Sequence, residues 1–281
     1  VTQHFPTRQL RFFLTAPTPC PYLPGRQERK VFTHLPLSDG PGVNDSLTQV
    51  GFRRSQNIAY RPACETCRAC QSARAPAGDY EFSRSERRAL NRNTDLVRCL
   101  VEAEATLEQF ELLRRYLTAR HADGGMAEMT WPDYVAMVED TAVRTHLIEY
   151  RRPSVDRGPG ELVACVLVDV LADGLSLVYS FYDPTEERRS LGSFIILDHI
   201  VQARLTGLPY VYLGYWVPGS EKMAYKARFS PLEILKPGGW SLMSARERGA
   251  RPPRAAPAPA VREVELSDAI PLTELPAAGK P

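Results

Sequence analysis

Apolar residues recur along this chain with two different periods, and the change of period outlines the elements. Over 106–121 (TLEQFELLRRYLTARH), Leu107, Phe110, Leu113 and Leu117 fall on one face of a helix. A second, short helix is predicted after Trp131-Pro132, since proline suits a first-turn position. The period then shortens. The runs 142–150 (AVRTHLIEY), 161–171 (ELVACVLVDVL) and 174–182 (GLSLVYSFY) predict strands, and Asp173-Gly174 predicts a hairpin turn between the last two. An earlier run at 95–104 (DLVRCLVEAE) predicts another strand. A helix over Leu191–Leu205, a buried strand over Tyr210–Tyr215, a short helix over 219–227 and a last strand over 231–236 complete the series.

The two ends of the chain lack such patterns. Residues 1–78 are rich in proline and glycine, with scattered short apolar runs and four of the six cysteines. They predict a small N-terminal domain of the kind that needs a staple. Residues 244–281 are rich in Pro, Ala and Arg, with too little apolar content to bury, and predict a flexible tail. That leaves 79–243 as the main domain. Its order β-α-α-β-β-β-α-β-α-β resembles that of GNAT-type acyltransferases, so the expected class is α+β: a GNAT-like domain preceded by a small cysteine-containing one. That fold splays two neighbouring strands to admit an acyl donor, and here those strands would end near Tyr182 and Tyr215.

Charge narrows the partners only a little. The formal net charge is +2, so a nucleic-acid partner would have to be held by a local basic patch. No apolar run reaches the roughly 18 residues of a membrane helix. Val1–Leu14 lacks the apolar core of a signal peptide, so a cytoplasmic address is expected. There thiols stay reduced, and clustered cysteines read as metal ligands or reactive groups. Cys64, Cys67 and Cys70 form CETCRAC, and Cys20 lies in PTPCPYLPG. Three thiols at spacing three converge on one ion from a tight turn, and a fourth completes a tetrahedron. Zinc and an iron–sulfur cluster both accept this set; free, redox-active thiols are the bland alternative. Cys99 and Cys165 sit in apolar runs and read as core residues. The histidines His34, His121, His146 and His199 show no ligand spacing and read as structural.

Two segments place aromatics, glycine and charge where strands should end: YSFYDPTEERRSLGSF (179–194) and YVYLGYWVPGSEKMAYKARF (210–229). YDP followed by RSLG, then YLGYW, then KMAYK resembles the C-terminal signature of the arginyl-tRNA–protein transferase family. PCPYLPG and CETCRAC are similar to that family's N-terminal cysteine segment. The resemblance spans residues 8–243. It is stronger to the bacterial, leucyl-transferring branch, because the eukaryotic pattern has paired cysteines near its start and an adjacent Cys-Cys later. It implies transfer of leucine from leucyl-tRNA to proteins beginning with Asp or Glu, marking them for degradation, with no membrane or DNA partner.

The chemistry such a transfer asks for is modest. The ester is already activated, so no cofactor is required for the transfer step; zinc or iron–sulfur at the cysteines would be structural or regulatory. The enzyme must align an amine with a carbonyl, help a proton leave and stabilise an oxyanion. No P-loop and no HExxH occurs in the sequence. Asp183, beside Tyr182, is the candidate that orients the incoming ammonium or accepts its proton; alternatively it is a turn residue before Pro184. Arg189, Ser190 and Gly192 lead into a helix whose first amides would hold a terminal tRNA phosphate, with Ser190 capping the helix as the simpler reading. Lys222, Tyr225 and Lys226 share one helical face that would meet tRNA phosphate, the acidic acceptor residue or plain solvent. Tyr215 and Trp216, with Tyr212, are candidates to line the aminoacyl or adenosine pocket, against core packing as the alternative. Arg84, Arg87, Arg88 and Arg92 form a basic stripe suited to phosphate.

Two other functions compete. Arg189-x-x-Gly192-x-Phe194 partly matches the R-x-x-G-x-G/A pyrophosphate loop of acyl-CoA N-acetyltransferases, but Phe194 would crowd a pyrophosphate. A metal-bearing nucleic-acid-binding or sensor protein would use the cysteines and arginines and leave the strand-end motifs without a purpose. Within the family, arginine is the alternative to leucine as the transferred residue.

Overall fold

A computed structural model describes residues 10–120, 126–154, 158 and 160–249. The N-terminal part contains β1 (Phe13–Leu14), β2 (Thr18–Pro19), β3 (Gln27–Glu28), β4 (Lys30–His34), α1 (Gly40–Gln49), β5 (Arg53–Ser55), β6 (Ile58–Pro62) and β7 (Gln71–Pro76). Then follow α2 (Arg84–Asn91), β8 (Val97–Glu102), α3 (Leu107–Arg120), α4 (Trp131–Glu139), β9 (Thr145–Arg151), β10 (Leu162–Leu171) and β11 (Gly174–Tyr182). The last elements are α5 (Leu191–Leu205), β12 (Tyr210–Trp216), β13 (Glu233–Lys236), β14 (Gly239–Leu242) and α6 (Ala245–Arg248).

The main sheet runs β14-β13-β7-β12-β11-β10-β9-β8. Among its pairs only β11 and β12 are parallel, which is why the long helix α5 connects them. α5 is apolar nearly all round and is buried against one face, with Ile195, Leu197 and Ile200 in a core that includes Val166, Val211 and Ile234. α3 and α4 cover the other face through Leu112, Leu113, Leu117, Tyr134 and Val138. This is the GNAT-like α+β architecture expected from the element order.

The pairing of β11 with β12 stops early. Cα partners run only from Gly174↔Tyr210 to Ser176↔Tyr212. Beyond that point both strands carry an extra residue: β11 bulges at Val178 against β10, and β12 bulges at Leu213 against β7. A bulge bends its strand and increases its twist, so two bulges at one level drive the pair apart. The slot between them is the splay on which the functional reading depends.

The N-terminal segment reaches well into this sheet. β1, β4, β6 and β5 form a separate four-stranded sheet, but β7 is laid into the main sheet between β12 and β13. The small sheet is fastened by Arg54, whose Nε and Nη2 donate to Asp169 on β10 at 2.6 and 2.7 Å, with both side chains only 1% exposed. Thr145 Oγ1 donates to the same carboxylate at 2.9 Å. Breaking a pair this buried strands a charge and costs about 3–5 kcal/mol.

Three expectations change. The helix expected over 219–227 is a 3-10 turn, Ala224–Arg228, because the preceding Pro218-Gly219 leaves room for only a short tight coil. Residues 244–249, expected to belong to a flexible tail, are ordered. Ser244 and Glu247 form a capping box around α6, Lys236 pairs with Glu247 at 2.7 Å, and Arg248 donates to the carbonyls of Ala227 and Phe229. The rest of that expected tail, 250–281, lies outside the described residues, as does His121. A hairpin strand, β14, was not expected from the sequence.

Candidate functional site

The slot opens into a cleft of about 770 Å³, walled by β11, the loop after it, the start of α5, α3 and the turn after β12. Asp183 stands at the end of β11. Its Oδ1 accepts from the Thr185 amide at 2.9 Å and hydroxyl at 2.6 Å, and its Oδ2 faces Arg115 at 3.5 Å. Burial pushes its pKa up, but the Thr185 hydrogen bonds and the charges of Arg115 and Arg152 outweigh burial and hold it below the usual carboxylate range. Asp183 is thus both the turn residue and a fixed anion on the cleft wall. Tyr182 lies beside it, its ring edge-on to Tyr116 at 4.9 Å. Tyr179, deeper on β11, is pushed up to about 12 by burial.

Ser190 and Gly192 line the cleft at the start of α5. Ser190 adopts φ 54°, and its side chain makes no capping hydrogen bond, so the expected Ser190 cap is corrected. The left-handed residue is what turns the chain from the 3-10 turn Glu187–Arg189 into α5, at a cost of about 1 kcal/mol. A Cβ on Gly192 would come to 3.2 Å from the Tyr182 hydroxyl, so glycine keeps these two elements close. Arg189 does not line the cleft. It binds Asp95 through two 2.8 Å bonds and Glu186 through one of 2.8 Å, so it braces the loop rather than presenting a free cation.

The three residues expected on one helical face divide. All three line the cleft, but Lys222 is exposed, Tyr225 is 38% exposed and Lys226 is buried. Lys226 Nζ donates to the Tyr215 carbonyl at 2.6 Å and lies 3.3 Å from Met223 Sδ. Burial first, then the neighbouring Arg53 charge, hold its pKa well below that of an ordinary lysine.

Tyr215 and Trp216 are corrected more fully. Neither lines the cleft, and both are nearly fully buried. Tyr215 points to the cysteine corner, donating between the Gly51 and Tyr60 carbonyls at 3.0 and 3.1 Å, while Trp216 packs in the core under α5. Both faces of β12 are covered, which leaves no wall for a stacked base. Tyr212 is likewise held at the far end of the strand by Asp173, Gln49 and Arg74.

Arg84, Arg87 and Arg88 lie exposed on α2, which starts at a Ser83–Glu86 capping box. They form a surface outside the cleft, and Arg92 joins α2 to the loop before α5 through the Arg188 carbonyl. Cys20, Cys67 and Cys70 gather with Tyr22, Leu23 and Tyr215, and Cys64 is close enough to act on Cys70. Burial, then the charges of Cys20, Cys64 and Cys67, push the Cys70 thiol up to about 12. Among the described residues no three His, Cys, Asp or Glu side chains stand in a metal-ligating arrangement. Cys165 is buried, and His199, fully buried, is depressed to about 4 chiefly by burial.

Sequence reasoning missed several cleft residues: Arg53 from β5, Tyr116 and Arg120 from α3, and Arg228.

Two family models match the chain: "Arginine-tRNA-protein transferase, N terminus" over residues 18–88 and "Arginine-tRNA-protein transferase, C terminus" over residues 108–236. The chain is 86% identical over 272 residues to the aspartate/glutamate leucyltransferase of Caulobacter vibrioides, covering 96% of this chain and 98% of that one. It is 80% identical over 247 residues to the protein of that name from Phenylobacterium zucineum, covering 88% and 96%. Similar solved structures include FemX (8% identity, TM-score 0.41, 66% of this chain and 62% of that one). L-PGS from Bacillus licheniformis is another (11% identity, TM-score 0.41, 53% and 46%).

Proposed function

The chain belongs to the arginine-tRNA-protein transferase family, and from that premise we propose that it transfers leucine from leucyl-tRNA to the N-terminal amine of proteins beginning with Asp or Glu. The product is a protein with a new N-terminal leucine, a degradation signal. The observation that carries this reading is the open slot between β11 and β12, with the fixed anion of Asp183 on the wall of the cleft it opens into. Its volume of about 770 Å³ falls within the roughly 300–1,000 Å³ typical of small-molecule sites.

The acceptor amine forms a bond to the leucyl carbonyl carbon, the ester C–O bond breaks, and the amine's proton ends on the departing ribose oxygen or on water. Asp183 orients the incoming ammonium; its lowered pKa suits an anion that pairs with a cation better than one that takes a proton. Ile196, Leu213 and Leu191 give the cleft an apolar side that favours leucine. Lys222 and Arg228 at the cleft supply positive charge for the acidic side chain of the acceptor. The exposed stripe of Arg84, Arg87 and Arg88 is suited to the tRNA backbone. The nucleic-acid partner is RNA and not DNA, since the aminoacyl ester is carried by tRNA. The reaction belongs in the cytoplasm, where charged tRNA is found, and no described helix is long and apolar enough to cross a membrane.

The transfer step needs no cofactor. Cys20, Cys64, Cys67 and Cys70 gather at the corner beside Tyr215 but do not stand in a metal-ligating arrangement, so zinc or an iron–sulfur cluster there would require the thiols to draw together. Elemental analysis of protein purified without oxygen decides between metal, cluster and free thiols. The functional test offers leucyl-tRNA, arginyl-tRNA and acetyl-CoA as donors to a peptide beginning with Asp. Labelled peptide from leucyl-tRNA alone is expected; transfer from acetyl-CoA alone would replace this reading with the acetyltransferase one.

A further inference from the structure

Arg53 is set in the small N-terminal sheet, yet its guanidinium lies in the slot of the main sheet. Nη2 donates to the carbonyls of Leu177 at 3.0 Å and Val178 at 3.3 Å, 124 and 125 residues along the chain. Those carbonyls sit at the β11 bulge, just past Ser176, where pairing with β12 ends. Across the slot, β12 passes through Gly214 at φ 74°, and a Cβ there would overlap the guanidinium. The ring of Tyr215 lies 5.8 Å from the same group. Among the described residues no carboxylate pairs with Arg53. Its charge is therefore left to the backbone carbonyls, the aromatic ring and whatever enters the cleft.

The physical need for such a group is clear. Two adjacent strands with unpaired backbone gain by closing on each other, because buried carbonyls and amides seek partners. The bulges start the separation, but something must occupy the gap and satisfy β11 while it stays open. A planar guanidinium with five donors can do this in a fixed orientation; an ammonium on a flexible stem cannot. Glycine at 214 is the matching concession from β12.

We propose that Arg53 is a positioning residue for acyl transfer, a wedge lent by the N-terminal sheet that holds β11 and β12 apart at the width the leucyl carbonyl needs. The inference rests on the transfer reading above. It makes the transfer slot a joint product of both parts of the chain, complete only when the small sheet is docked.

The test uses the full chain with R53M, R53K and G214A, the last placing a methyl group where the guanidinium lies. Misplacing a reacting group by about 1 Å costs about 100-fold, so R53M and G214A are expected to lose about that factor in kcat. KM for both substrates should stay within about twofold, because neither variant removes an interaction made equally in ground and transition states. R53K should not restore turnover, and the R53M/G214A double variant should be no slower than the worse single one. Amide hydrogen exchange over 177–179 should quicken in both single variants while α3 is unchanged. If R53M does not fold, G214A and R53K are held to the same expectations. The proposal is overturned if R53M keeps kcat within about threefold, if the loss falls only on KM for leucyl-tRNA, or if R53K is fully active. A wild-type protein that transfers no leucine would defeat the functional reading instead, and the exchange comparison would still decide the wedge.

Discussion

The two ends of the β11–β12 pair are built from the same strands, and each receives one arginine from the N-terminal segment. At the closed end, Arg74 on β7 is surrounded. Its Nε donates to Glu233 at 2.7 Å, its Nη1 to the Tyr212 hydroxyl at 3.1 Å, and its guanidinium carbon lies 3.5 Å from the Tyr210 ring centroid and 4.3 Å from that of Trp240. At the open end, Arg53 has backbone carbonyls and one aromatic ring, and no carboxylate among the described residues. A neutralised, stacked cation locks strands together; an uncompensated one keeps a gap polar and available. The same residue type thus closes one end of a strand pair and opens the other, and its partners decide which.

If that contrast is right, substitutions at the open end should cost activity and those at the closed end stability. The largest effect is expected for D183N, which keeps the shape of the turn but removes the anion; turnover should fall about 100-fold, with only a modest fall in melting temperature from losing a carboxylate whose pKa folding lowers. A D183N enzyme of normal rate would remove Asp183 from the reaction. R74M should do the reverse. It leaves Glu233, half-buried, without its cation and should destabilise the protein by about 3 kcal/mol in urea unfolding, while the folded fraction keeps its kcat. Loss of kcat beyond loss of fold would erase the distinction between the two ends.

Lys226 sharpens the comparison through pH. Its folded pKa lies well below its unfolded one, so between those two values the folded protein binds fewer protons. Stability therefore rises with pH across that window, the excess being absent below the depressed value and complete above the ordinary lysine range. K226M should flatten that rise in unfolding measured from neutral to mildly alkaline pH; an unchanged slope would mean that the ammonium is not strained by its site. The smallest effect is expected on α2. Changing Arg84, Arg87 and Arg88 to glutamine should raise KM for leucyl-tRNA at unchanged kcat, and lower the salt slope of binding by about one for each phosphate no longer neutralised.

How much of this was legible in the sequence depends on the range over which each feature is set. β11 and α5 run over the expected residues, Gly174–Tyr182 and Leu191–Leu205, because their apolar patterns are local and their ends are marked by Asp173-Gly174 and the YDP turn. Asp183, Tyr182 and Gly192 line the cleft because they end or begin such elements. Tyr215 and Trp216 were misplaced because the bulge at Leu213 shifts the alternation of β12, and because the N-terminal segment covers the face that a lone strand would expose. Lys226 was read as a helical-face cation, but a 3-10 turn directs it inward. Arg53 was invisible for a different reason. Its partners are main-chain carbonyls more than a hundred residues away, and a carbonyl carries no sequence signature.

The central claim is that the leucyl carbonyl reacts inside the slot where β11 and β12 part. A crystal structure with 3′-leucylamino-3′-deoxyadenosine, whose amide cannot be transferred, tests this directly. The expected density places the leucyl carbonyl between the strands, near Asp183 and the guanidinium of Arg53, with the leucine side chain against Ile196 and Leu213. A ligand bound elsewhere on the protein, with the slot closed or filled by side chains other than that of Arg53, would contradict it.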